Sequence, residues 1–450
     1  MIPELLAIRF GTGLSPTIAA PSDVDEALAR LSGPDEAAEA VRQPGWDAKV
    51  AIALDWSRLR RLSRREGGEA FKEDLRARNR ELTAGYHQDL ARALTRAAAT
   101  RDGLRERLAW FWADHFAVVD EAGFLRRTTA GYHEDAIRPH VAGRFGDLLV
   151  SAVTHPAMVS FLDQQRSIGP NSPAGAKGAG LNENLAREVL ELHTLGVGAG
   201  YDQADVRQLA ELFTGLAVDK EGGPEFRRRM AEPGTEEVLG HVYGGDPARM
   251  AHVEAVLRDL AVHPDTARHL SGKLARHFVS DEPPGDMVAA MAAEWTRTGG
   301  ELIPVYRAMM THPAAADPAL HKARRPLDLV AAGLRALGQT GNLAGRGTRI
   351  IRMGATTPLL RMGQSWQRPP GPQGWPEEAE AWITPQGLAA RIEWAMTAAH
   401  ALREPPDPRV FVETALGPLA GARVRFAAGA AETRGDGVAL VLASPEFQRR

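Results

Sequence analysis

Apolar residues recur along most of this chain at three- and four-residue spacing, the pattern left by helices that each bury one stripe. In "ERLAWFWADHFAVVD", Glu106 to Asp120, the positions Leu108, Phe111, Trp112 and His115 follow that spacing, which turns an imidazole inward beside two aromatic rings. In "LNENLAREVLELHTLG", Leu181 to Gly196, Leu185, Val189 and Leu192 share one face, broadened by Ala186 and Leu190. Strand-like alternation is scarce, and "GVALVLA", Gly437 to Ala443, comes nearest to it. The predicted fold class is therefore all-α, a large irregular assembly of many helices.

Breaks in the periodicity divide these helices. His155-Pro156, His263-Pro264 and His312-Pro313 each follow an apolar helical run and precede another, so they read as helix-to-helix corners. Ser167 to Gly180, "SIGPNSPAGAKGAG", predicts a mobile loop that feeds the Leu181 to Gly196 helix. Gln364 to Pro385 sets three tryptophans among prolines and glycines, which predicts an anchored covering segment.

The second of the two helices carries unusual chemistry. Asn184, Glu188 and Glu191 form a polar stripe, and His193 points roughly opposite to it. One reading is a solvated stripe, with Glu183 to Arg187 and Arg187 to Glu191 as four-residue ion pairs and Asn182 as a cap. The other is an enclosed stripe, because Leu195 continues it and apolar faces wrap much of the circumference; enclosed carboxylates require a cation, a metal or hydrogen-bond donors. If His115 meets Glu188 and Glu191 in space, nitrogen and oxygen converge as in a divalent-metal site or an acid/base pair. Asn182, Asn184, Lys177 of the glycine-rich loop and Trp112 complete the candidate binding set. Further on, Asp202 with Asp205 has the spacing of a helix cap, and His269, Lys273 and Arg276 form a basic stripe that could neutralise the carboxylates or bind an anion, with exposure to water the expected reading.

Composition narrows the classes. With 54 lysines and arginines against 57 acidic residues, the chain lacks the charge excess of a nucleic-acid or anionic-membrane binder. Cysteine is absent, which excludes disulfides, thiolate metal sites and cysteine nucleophiles. No apolar run approaches a membrane span and no secretory signal is visible, so a cytoplasmic location is expected. No zincin, di-iron, nucleophile-elbow or Walker motif occurs.

Taken in order, "RFGTGLSP", "WFWADHF", "HPAMVSFLD", "NENLAREVLELHTLGVGAGY", "HPDTARHLSGKLARHFVSDEPP", "GPQGWPEEAEAWITP" and "LASPEFQRR" resemble the bacterial DUF1800 family. The resemblance implies one helical domain over residues 1–450, with an N-terminal subregion to residue 100, a polar core over 101–300 and C-terminal helices with the cover over 301–450. It carries no established reaction. It implies a companion of the DUF1501 type, which resembles alkaline phosphatases and sulfatases. The family's aromatic-histidine motif falls on Trp112, His115 and Phe116, and its asparagine-glutamate helix on Asn182 to Gly196. Two departures stand out: Ala113 where relatives commonly have histidine, and "AEPGTEEVLG", with Ala231 in place of a histidine and Glu236 in place of a lysine. Two functional classes follow: an enzyme, hydrolytic or redox, centred on His115, Glu188 and Glu191, and a non-catalytic helical binding or assembly partner.

Overall fold

The three histidine-proline corners fold alike. The computed structural model describes residues 1–65, 71–119, 125–175 and 180–450. In it, His155, His263 and His312 each end one helix and cap the next, with Nδ1 accepting from the backbone N–H two residues on at 3.1, 3.2 and 3.2 Å. Their backbones are nearly superposable, with ψ of 140°, 139° and 141°. The proline that follows stands at the first helical position, where no intrahelical donor is lost. Because Nδ1 accepts, each ring carries its proton on Nε2. Asp202 and Asp205 likewise close a reciprocal capping box on the Gln203–Leu212 helix.

Helices dominate the described residues, and the only strands there form two small antiparallel hairpins. Leu216–Val218 pairs with Pro224–Phe226, and Gly234–Val238 with His241–Gly245. The second hairpin turns on Leu239 and Gly240, both at positive φ, 50° and 76°. That backbone matches the twist of the flanking strands. The stretch read as nearest to a strand, Gly437 to Ala443, instead ends the Arg434–Ala443 helix. Thr433 caps it through its side chain, and the helix packs extensively along Pro385–His400, so tertiary burial overrides the local valine content. Gly437 permits the close approach of the Pro408–Leu416 helix, since a side chain there would overlap the Pro408 ring.

Buried apolar side chains form two main clusters. One gathers Phe10, Trp112, Phe116, Phe145, Leu190, Leu257, Phe278, Trp295 and Tyr306. The other gathers Leu90, Leu94, Leu329, Leu359, Trp394, Phe411, Val438 and Phe447. The Gly103–His115 helix runs along the seam. Trp112 faces the first cluster and donates Nε1–H to the Tyr306 hydroxyl at 2.7 Å, while Trp110 packs on the second. No helix among the described residues is long and apolar enough to cross a membrane.

Candidate functional site

His115 is buried, as the helical spacing requires, but its partners differ from those expected. Nε2 donates to the backbone oxygen of His193 at 3.2 Å, and Nδ1 lies 3.0 Å from Lys273 Nζ. A carbonyl only accepts, so the proton is on Nε2 and Nδ1 accepts from the ammonium. Burial, then the Lys273 charge, holds the His115 pKa well below its ordinary value, and the ring stays neutral.

Neither Glu188 nor Glu191 bonds to His115. Both stand half-buried at the edge of the fold, where Arg187 pairs with Glu183 at 3.1 Å and with Glu191 at 3.4 Å. The member of this helix that does reach the interior is His193, fully buried, its ring centroid 5.8 Å from that of His115 and 5.1 Å from that of Phe116. The phase explains it: His193 lies on the apolar side and the carboxylates opposite, so the helix turns its leucines and histidine in and its glutamates out. The last turn, Val189–His193, is π-helical. Among the described residues no three His, Asp or Glu side chains could share a metal ion, so His115, Glu188 and Glu191 do not assemble the divalent-metal set proposed for them.

The remaining candidates fall as follows. Asn182 lies one residue before the helix's N-cap, Glu183, its Oδ1 accepting from Asn184 N at 2.9 Å while its Nδ2 donates to Leu162 O at 3.1 Å. Asn184 is exposed. Lys177 lies outside the described residues. The described part of the glycine-rich stretch lies against residues 229–232, with Gly169 N donating to Met230 O and Ala174 N to Arg229 O. Burial, then the neighbouring Glu191, raises the Glu188 pKa. Glu188→Gln is therefore expected to leave stability at pH 7 within about 0.5 kcal/mol of the parent, on the stabilising side, in thermal melts. A loss above roughly 2 kcal/mol would reveal an essential partner for the carboxylate.

The dense buried chemistry lies instead at the seam between the two clusters. Lys273 and His277, one turn apart on the Pro264–Phe278 helix, face the Gly103–His115 helix. His277 Nε2 accepts from Arg107 at 3.2 Å, which leaves Nδ1–H to donate to Glu377 at 2.7 Å. Burial pushes the His277 pKa down to about 4 although Glu377 opposes it. Glu377 also binds Arg325 at 2.7 Å, and its backbone oxygen accepts from Lys322 Nζ at 2.8 Å. Burial favours its neutral form, but Arg325, His277 and Lys322 together hold it ionised.

Asp114, next to His115 in sequence, points the other way. It accepts from Arg325 at 2.7 Å and from the Trp375 backbone at 2.9 Å; burial raises its pKa and Arg325 counteracts. Beyond it, Asp328 alone faces three guanidiniums, those of Arg107, Arg324 and Arg450, at 3.2, 3.2 and 3.1 Å.

These groups border a cavity of about 90 Å³ walled by Trp110, Ala113, Trp366 and Trp375 on its apolar side and by Asp114, His277, Arg325 and Arg450 on its polar side. At roughly 30 Å³ per water in the liquid, that is room for about three waters or one small polyatomic group. Ala113 thus opens space where relatives are expected to have histidine. The second departure lies elsewhere: Glu236 joins Glu211 and Glu232 beside the second hairpin, and burial with these like charges pushes its pKa up to about 7.

Sequence reasoning found His115 and Trp112 and singled out Lys273 with the wrong environment, but missed Arg107, Asp114, His277, Lys322, Arg325, Asp328 and Glu377. The cues were present in "HKARRPLD", His321 to Asp328, and in "WPEE", Trp375 to Glu378, where charge stands beside structure-breaking proline. Lys273, expected in water, faces inward, and only Arg276 of its stripe is exposed.

A helical fold with a buried ionic seam is one broad class, and the sequence profile narrows it. The profile described as "Protein of unknown function (DUF1800)" matches residues 6–449, and the chain belongs to that family. No curated protein and no solved structure matches it.

Proposed function

We propose that this DUF1800 protein is an enzyme that binds a small polar molecule in the seam cavity and acts on it by proton transfer. The observation that carries this is the meeting of a carboxylate, Asp114, and a neutral imidazole, His277, on the wall of one mostly apolar cavity. Groups with displaced protonation equilibria in a desolvated recess are the usual equipment of acid–base catalysis. Hydrolysis suits such a pair. Residues 364–377 serve as the cover: the Trp375 backbone binds both Asp114 and Arg325, and Glu377 binds Arg325 and His277, so lifting this segment would expose the charged wall. Because the cavity lies between both apolar clusters and draws its walls from each, the whole chain is proposed to act as one domain.

Three tryptophans border the cavity, which gives the test. A panel of small polar metabolites is expected to contain members that quench tryptophan emission saturably. Ala113→Phe, which places a ring in the space, is expected to abolish that response while the helical circular dichroism persists. A panel that leaves emission unchanged throughout refutes the reading.

One surface feature favours a second role. Leu388, Ile392 and Met396 stand exposed at four-residue spacing on the Pro385–His400 helix, whose other face is buried through Ala390 and Trp394. Such a stripe suits docking to a protein, and a companion of the DUF1501 type is the proposed occupant.

A further inference from the structure

We infer that the seam cavity is built for an oxyanion, the carboxylate or phosphate group of a small molecule, with Arg450 as its primary anchor. This rests on the reading of the cavity as a ligand site and names the ligand's chemistry. Asp328 is the one carboxylate shared by Arg107, Arg324 and Arg450, whose exposures are 1%, 2% and 0%. Arg391, also fully buried, adds a fourth guanidinium that feels the same carboxylate. Four guanidiniums therefore gather about one carboxylate in this corner. An unmatched buried charge is among the costliest arrangements in a protein, and an anion supplied from outside removes that cost.

The second observation concerns which donors are idle. Arg107 and Arg324 spend N–H groups on Gly11 O, His277 and Phe447 O. Arg450 approaches Asp328 with Nε at 3.1 Å as an ion pair without a hydrogen bond, and neither its Nε nor its Nη1 has a hydrogen-bond partner. Across the same cavity, both amide atoms of Gln367 are buried and unpartnered, and so is Trp366 Nε1. Gln367 stands there at φ 54°, a backbone region a non-glycine residue seldom adopts. A guanidinium edge, an amide N–H and an indole N–H around a space of about 90 Å³ match an oxyanion with two or three acceptor oxygens. The tryptophans beside it would take the apolar remainder of the molecule.

The test is a set of thermal melts of the full chain at fixed ionic strength, with sodium phosphate, sodium acetate or sodium chloride as the varied salt. Phosphate or acetate is expected to raise Tm saturably by about 3 °C over chloride at a concentration near one hundred times Kd. A response to phosphate alone assigns a phosphate group, and a response to acetate alone or to both assigns a carboxylate-sized site. Arg450→Gln is expected to erase the difference. Should that variant fail to fold, Gln367→Ala is expected to weaken the apparent affinity at least threefold. Equal melts in all three salts, or an undiminished response in Gln367→Ala and Arg450→Gln, overturn the inference. Tryptophan quenching by neutral metabolites with equal melts in the three salts would retain the cavity as a ligand site and reject only its anionic preference.

Discussion

Asp328→Asn is expected to destabilise the protein by roughly 3–5 kcal/mol, a large share of the 5–15 kcal/mol that typically separates folded from unfolded chains. The substitution changes no volume, so cavity formation contributes nothing. What it removes is the one carboxylate between the guanidiniums of Arg107, Arg324 and Arg450. Burial already draws Arg107 down to about 10 even with Asp328 present, and Arg324 moves in the same direction. Without the carboxylate the three charges repel one another in a poorly screened interior. Urea denaturation would read the loss as a lower midpoint. Because the pairs are buried and poorly screened, the loss should change little between low and moderate sodium chloride, whereas a surface ion pair would fade. Phosphate should recover part of it if an oxyanion can take the vacated position. Adding Arg450→Met to Asp328→Asn is expected to cost less than the sum of the two single changes, since it relieves part of the repulsion. A single-mutant loss under about 1 kcal/mol would show that the arginines are not held by Asp328.

How legible such a seam is in the sequence depends on the range over which its causes act. The histidine-proline corners could be read because cap, proline and helix start lie within three residues. The inward face of His115 was readable for the same reason, since four positions on one helix determine it. The polar helix was half readable. Its angular pattern places His193 opposite the glutamates, but a helix with apolar residues on several sides does not say which side its neighbours cover, and the fold covers the histidine side. The partners of His115 could not be read at all. Lys273 is 158 positions away and reaches His115 only because the Pro264–Phe278 helix packs on the same cluster. Glu377 meets His277 across 100 positions. Charges in "HKARRPLD" look like surface decoration until tertiary packing encloses them, and composition cannot show that enclosure. The Gly437 to Ala443 stretch failed in the opposite sense, its local strand character yielding to a neighbouring helix.

Acid is expected to unfold the protein well above the usual carboxylate range, with most stability lost between pH 6.5 and about 4.5. His115, His193 and His277 are 3%, 0% and 4% exposed. Burial, followed for His193 by the Lys273 charge, pushes His193 down to about 3; burial pushes His277 to about 4, and His115 also lies well below its ordinary value. Unfolded, each would bind a proton near pH 6.5. The unfolded chain therefore holds up to three more protons than the folded chain throughout this window. The stability these neutral rings supply is complete above about pH 6.5 and falls with acidification at up to roughly 4 kcal/mol per pH unit for the three. Glu236, pushed up to about 7, acts with the opposite sign: it is protonated earlier in the folded state and returns part of the loss between pH 7 and 4.5. Glu188 and Asp114, also raised by burial, act in the same sense as Glu236, but burial pushes His133, His155 and His269 down to about 4, 3 and 4 and adds them to the other three rings, so the net slope remains steep against a stability of 5–15 kcal/mol. Urea midpoints at pH 7.5, 6.5, 5.5 and 4.5 would trace the slope. His193→Phe gives the sharpest control, because neither ring nitrogen of His193 has a hydrogen-bond partner and no bond is lost with the imidazole. The variant should match the parent more closely at pH 7.5 than at pH 5, where it should be the more stable by about 1–2 kcal/mol. A flat midpoint from pH 7.5 to 5, or a variant that gains nothing in acid, would mean that these rings titrate as they do in water and that the interior around Lys273 is open to solvent.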